Sequence, residues 1–247
     1  MHIYIYDDFL EKSRYNKTLN KIETRLTDLG LSGKIVRLNN LKNSDKAIKE
    51  EVKQGAKTVV AVGGDKTFSK VINVLMSNDL SFFVRNIVIA FIPVGNSSLA
   101  ETFGLNNYQQ ACDILLARRL KTIFLAKCNT LYFISNIKIN GENAEIQINE
   151  NYQVTLLRNN TAYIINVPSR KILDKIPNIK EIDENKLYLY IENNKQDFSF
   201  IPANKLKIKN QKNLFLSLDS CLNCEESADI SLSDKQIRLI VGKNRAF

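Results

Sequence analysis

Along the first 120 residues, short runs dense in apolar residues alternate with stretches in which apolar residues recur every three or four positions. The runs are "HIYIY" (2–6), "GKIVRL" (33–38), "KTVVAV" (57–62) and "NIVIAFI" (86–92), each the length of a β-strand. Between them, Leu19, Ile22, Leu26 and Leu29 form one helical stripe, and Phe68, Val71, Ile72 and Leu75 another. "SDKAIKEEVKQG" reads as a helix with Ser44 as its N-cap and Gly55 as its stop, and two shorter helices are expected over 97–104 and 107–119. Runs such as "VVAV" and "IVIAFI" leave no polar face. Such strands are buried on both sides, which predicts a parallel sheet covered by helices.

From about residue 121 the period shortens to two. "AEIQINENYQVTLLRNNTAYIINV" carries hairpin signals at "NEN" and "RNN", and "KLYLYIENNKQDFSFI" a third at "ENNK". "NLFLSL", "ADISL" and "IRLIV" add short strands. The predicted architecture is α/β: an N-terminal parallel-sheet α/β domain over 1–120, followed by an antiparallel β-sandwich domain over 121–247. The final residues are open to a return into the first domain.

Composition narrows this picture little. The 247 residues are 44% hydrophobic with 9 Gly and 4 Pro, a globular balance. Five of the nine excess positive charges lie before residue 120 and four after it, so no basic tail exists. That even excess fits weak attraction to an anionic membrane surface, and solubility explains it equally; there is no specific nucleic-acid signal. The run "IVIAFIPV" is about a third of a membrane span, and "MHIYIYDDF" meets two aspartates where a signal peptide needs small residues. The expectation is a cytoplasmic chain, peripheral at a membrane at most. "CLNC" (221–224) has metal-ligand spacing, but there is no second such pair and His2 is the single histidine.

Candidate chemistry sits at two strand ends. Seven of the nine glycines precede residue 105, so close backbone approach to a ligand belongs to the first half. In "VGGDKTF", Gly63 and Gly64 can take positive φ and leave room beside the chain, and Thr67 or Asp65 is positioned to cap the following helix. In "FIPVGNSSLAETFGL", Pro93 and Gly95 end a strand, and Asn96, Ser97 and Ser98 supply donors just before a helix. Two anion-friendly turns on neighbouring strands point to a phosphate-binding crevice at the carboxyl rim of the sheet. A tight turn without a ligand remains the alternative for either one alone.

The two turns together resemble the catalytic module shared by diacylglycerol kinases, sphingosine kinases and, more distantly, NAD kinases. The family's Gly-Gly-Asp-Gly-Thr stands here as "GGDKT", followed by "FSKVINVL", and its Pro-x-Gly-Thr stretch as "PVGNSSLAETFGL". The lipid-kinase branch fits better. The resemblance implies ATP and Mg²⁺ as cofactors, a nucleotide held by Gly63, Gly64, Asp65, Lys66, Thr67, Gly95, Asn96, Ser97 and Asn39, and Asp65 as the metal ligand. It further implies an acceptor between the domains, catalytic roles for Asp65 and Asp219, and phosphoryl transfer to a lipid-like hydroxyl.

Several residues depart from the family pattern. Lys66 replaces a glycine, where it obstructs the nucleotide, pairs with a phosphate or points into solvent. Asp7 and Asp8 bring negative charge where the family has neutral donors. In "LDSCLNC", Ser220 and Cys221 stand where the family has Gly and Glu, and a thiol is a poor substitute for a carboxylate base. Glu225 or Glu226 is the nearest replacement. Three readings follow: an active lipid-type kinase with a degenerate site, a silent relative that binds nucleotide or lipid, and a scaffold. A homodimer is left open.

Overall fold

Four strands open the chain, β1 (His2–Tyr6), β2 (Lys34–Arg37), β3 (Thr58–Gly63) and β4 (Val88–Pro93), and they pair in parallel in the order β2-β1-β3-β4. Every residue of β3 and β4 is buried, as their unbroken apolar patterns require. The computed structural model describes residues 1–38, 44–140, 144–157, 160–176, 182–193, 198–209, 215–224 and 227–247.

Among the described residues, six α-helices connect or flank these strands: α1 (Asn16–Asp28), α2 (Ser44–Lys53), α3 (Asp65–Leu75), α4 (Ser81–Val84), α5 (Ser98–Phe103) and α6 (Tyr108–Ala117). The predicted stripes are the buried faces, except that Leu29 is the C-cap of α1 and only half-buried. Leu19, Ile22 and Leu26 of α1 are buried, and Phe68, Val71, Ile72 and Leu75 of α3 likewise. Phe68 anchors this core, its ring 4.9 Å from Phe91 and 5.3 Å from Phe103 between centroids. Burial of such a ring contributes about 2–3 kcal/mol.

The remaining strands are β5 (Leu120–Cys128), β6 (Leu131–Phe133), β7 (Asn136–Asn140), β8 (Glu145–Ile148), β9 (Tyr152–Thr155) and β10 (Thr161–Ile165). After the short helix α7 (Arg170–Leu173) come β11 (Leu187–Glu192), β12 (Phe198–Ala203), β13 (Lys205–Ile208), β14 (Phe215–Leu218), β15 (Leu222–Cys224) and β16 (Ala228–Ile240). One antiparallel layer runs β12-β11-β10-β7-β14-β15; the other contains β16-β13-β8-β9. Ile137, Ile164 and Leu189 from the first layer and Ile146, Leu206 and Ile230 from the second meet in one core, which makes this region a sandwich.

The chain folds as two compact units, Met1–Ile123 with Gln236–Ala246, and Phe124–Lys235. β16 serves both. Its first half pairs with β13, while Arg238 and Leu239 pair in parallel with β4.

Two expectations change. "ADISL" and "IRLIV" are parts of one 13-residue strand, because the polar residues between them stay extended. The signal at "RNN" is not a hairpin: β9 pairs with β8, whereas β10 pairs with β7 and β11 in the opposite layer. Arg158 and Asn159 lie outside the described residues, but the strands on either side belong to different layers, and a local turn signal does not distinguish that from a return within one layer. β11 and β12 pair antiparallel in register Glu192↔Phe198, and Asn194 and Lys195 of the "ENNK" signal lie outside the described residues.

Candidate functional site at the sheet rim

The carboxyl ends of β1, β3 and β4 converge through hydrogen bonds. The amide of Asp7, just past β1, donates to Val62 O at 3.1 Å, and the amide of Val94, just past β4, donates to Gly63 O at 2.8 Å. Gly63 has φ 153°, and a Cβ there would stand 2.5 Å from Thr67 Oγ1 and 3.0 Å from Asp7 Cβ. Glycine is required at this position by that close approach. Gly64 differs: its φ of −96° suits any residue, and a Cβ would meet nothing within 4 Å. Its bare backbone leaves the N-terminus of α3 open. Gly95, at φ 93°, is exposed with equally open space around it.

Neither Asp65 nor Thr67 caps α3 in the ordinary way. Gly64 is the N-cap residue, and Thr67, at the third helical position, accepts a hydrogen bond from the Gly64 amide at 3.2 Å. The Thr67 hydroxyl donates to Asp7 Oδ2. Thr67 is 1% exposed, so its hydroxyl is committed to holding β1 and α3 together. Asp65 turns to the neighbouring helix. Its Oδ1 accepts from the Ser97 hydroxyl, and its Oδ2 accepts from the Ser98 amide at 3.0 Å and the Ser98 hydroxyl at 2.9 Å. Ser97 is the N-cap of α5, its oxygen accepting from the Ala100 amide at 2.9 Å. Asp65 therefore joins the two phosphate-type turns into one rim.

Two carboxylates precede that rim. Asp7 caps the 3-10 turn Asp8–Glu11 by accepting from the Phe9 amide at 3.2 Å. Burial and a hydrogen bond with the Asp8 carboxyl raise the Asp7 carboxyl above its ordinary value, against the lowering by Thr67 and Phe9. Lys66 is exposed and makes no hydrogen bond or ion pair among the described residues. Asn96 is exposed as well, and Asn39 lies outside the described residues.

Asp219 sits in the sandwich, 2% exposed. Its carboxylate accepts from the amides of Ile134 (2.8 Å), Ser135 (2.7 Å) and Asn136 (3.1 Å). Asp219 and Ser220 form the β14–β15 turn with φ 47° and 60°. The expected C-terminal acid is thus a buried acceptor that holds the turn to the start of β7. The thiol of Cys221 donates weakly to Leu218 O at 3.6 Å. Glu225 and Glu226 lie outside the described residues.

The rim fits phosphate better than metal. Open first-turn amides, a bare Gly64 and a solvated ammonium suit a polyphosphate. Asp65, the expected magnesium ligand, already spends both oxygens on serine donors. Among the described residues, no three or more His, Cys, Asp or Glu side chains gather, so a magnesium ion here would rest on one or two carboxylates, water and the phosphates themselves. Sequence reasoning missed the tie between Asp7 and Thr67 and the part played by Ser98. The position of Asp7 directly after a strand, and the serine pair directly before a helix, were the available signals.

Among the described residues no helix is long and apolar enough to cross a membrane. No curated protein matches the sequence. In fold, the chain is similar to a crystal structure described as a diacylglycerol kinase from Bacillus anthracis str. Sterne, with TM-score 0.74 and 17% identity, covering 98% of this chain and 97% of that one. A structure of a candidate diacylglycerol kinase from the same organism aligns with TM-score 0.76 at 16% identity, over 98% and 96% of the two chains. The family model for the diacylglycerol kinase catalytic domain matches residues 3–128, which include both rim turns. Over that half of its length, the chain belongs to the diacylglycerol kinase catalytic domain family.

Proposed function

We propose that the chain binds the phosphates of ATP at this rim and holds them without transferring them. The observation that carries this reading is the pairing of the two turns through Asp65, Ser97 and Ser98. It ties the N-terminus of α3, whose first-turn N–H groups and dipole favour an anion, to the turn before α5 on one sheet edge. The Asp65 and Lys66 amides, the Lys66 ammonium, the Gly95 backbone and the Asn96 side chain would hold the phosphates. Gly63, Thr67 and Ser97 would keep these groups in place.

The remaining observations favour holding over turnover. ATP, once bound, supplies a transferable phosphoryl group, but transfer to an alcohol also needs a carboxylate to take the hydroxyl proton. Asp219 is occupied by three amides, and Cys221 presents a thiol. Loss of such a base forfeits a factor of about 10² to 10⁴.

The second reading is ATP-dependent phosphoryl transfer to a lipid-like hydroxyl at an anionic membrane surface. The family match over both turns favours it. One experiment separates the readings: equilibrium titration with ATP, followed by incubation with γ-labelled ATP and mixed lipid vesicles. Saturable binding with no labelled lipid is the expected outcome. Labelled lipid establishes the kinase reading, and no binding at all leaves a scaffold.

A further inference from the structure

A polyphosphate brings several negative charges, and a site must meet them with metal ions or side-chain cations. At this rim the carboxylate placed to hold a metal is already in use. Asp65 accepts from the Ser97 hydroxyl, the Ser98 amide and the Ser98 hydroxyl. The Ser97 oxygen in turn accepts from the Ala100 amide at 2.9 Å. Turning Asp65 outward toward a metal would undo the link that aligns α5 with α3.

The second carboxylate is no freer. Asp7 accepts from the Phe9 amide at 3.2 Å and from the Thr67 hydroxyl, and its raised affinity for a proton works against metal binding. The cation present is Lys66, second residue of α3, exposed and without an ionic or hydrogen-bonding partner among the described residues. It stands in the turn whose amides are open, on a flexible stem that carries a compact charge. One turn further along α3, Lys70 already lies 3.9 Å from Asp45.

We propose that this rim takes its nucleoside polyphosphate in the metal-free form, with the Lys66 ammonium standing in for a divalent cation. The inference rests on the reading above that the rim binds ATP. It assigns Lys66 a binding role, and Asp65 a positioning role in place of metal ligation.

The test is calorimetric titration of the full chain with ATP at fixed ionic strength, once in EDTA and once in excess MgCl₂. Affinity in EDTA is expected to equal or exceed that in MgCl₂. Lys66→Met should weaken binding in EDTA by about tenfold or more, as loss of a charge-assisted bond does, and Lys66→Arg should retain most of the affinity. Both variants alter an exposed side chain, and an unchanged thermal melt verifies their fold. Binding that appears only with MgCl₂, or a Lys66→Met protein with wild-type affinity, overturns this inference and leaves the nucleotide reading standing. Absence of ATP binding in both buffers overturns the nucleotide reading, and this inference with it.

Discussion

Asp65 and Asp219 each accept three hydrogen bonds, yet from different kinds of donor. At the rim of the α/β unit, Asp65 is half-buried and takes two serine hydroxyls and one amide, from residues 32 and 33 positions away. In the sandwich, Asp219 is 2% exposed and takes three amides, from residues 83 to 85 positions away. A hydroxyl can rotate toward water or a ligand, whereas a buried amide has nowhere else to turn. The exposed Ser98 hydroxyl contact at the rim can therefore be exchanged for water at a lower cost than any contact of the sandwich turn.

The sharpest way to break the comparison is to remove each carboxylate. Asp219→Ala should destabilise the protein by about 3 kcal/mol or more, since three amides lose their acceptor inside the sandwich. Denaturant unfolding measures this, and a loss below that of Asp65→Ala would show that the two turns are not built differently. Asp65→Ala should cost about 1–2 kcal/mol, because water can replace it at Ser98, and should weaken ATP binding by loosening α5 from α3. Retained affinity in that variant would remove Asp65 from the phosphate site.

Asp7→Asn should have a smaller effect, and one that depends on pH. The folded state raises the Asp7 carboxyl, so it holds more protons than the unfolded chain between the ordinary value of 3.8 and the raised one. Wild-type stability therefore falls as pH rises through that window. The asparagine variant escapes this loss: it should melt higher than wild type at neutral pH, with the gain vanishing below pH 3.8. Melting curves across pH measure it, and a gain that grows on acidification would contradict the sign. The smallest effect is expected from Ser220→Gly. At φ 60° a serine is strained, and glycine should stabilise the turn by about 0.5–1 kcal/mol after its entropic cost.

Legibility followed the same division. The helical stripes of α1 and α3 and the all-apolar strands β3 and β4 were readable, because burial imposes a period on neighbouring residues. Gly63 was readable as a backbone special position and has positive φ, whereas Gly64, expected to behave alike, is extended at φ −96°. The surroundings of Asp219 were not readable. Its partners come from residues 134–136, and no local pattern in "LDSC" announces three converging amides. The crossing of β9 to the opposite layer from β10 was missed because turn residues encode a reversal, not the layer the chain reverses into.

The sequence by itself determined the α/β-then-sandwich order, the two glycine turns at the rim and the presence of a cation at Lys66. Only the tertiary structure decided that Thr67 serves Asp7, that Asp65 serves Ser97 and Ser98, and that Asp219 is a buried acceptor. The reason is one of range. Periodicity and turn chemistry act between residues a few positions apart, whereas a hydrogen bond over 32 to 85 positions exists only once strand order and register have brought its partners together.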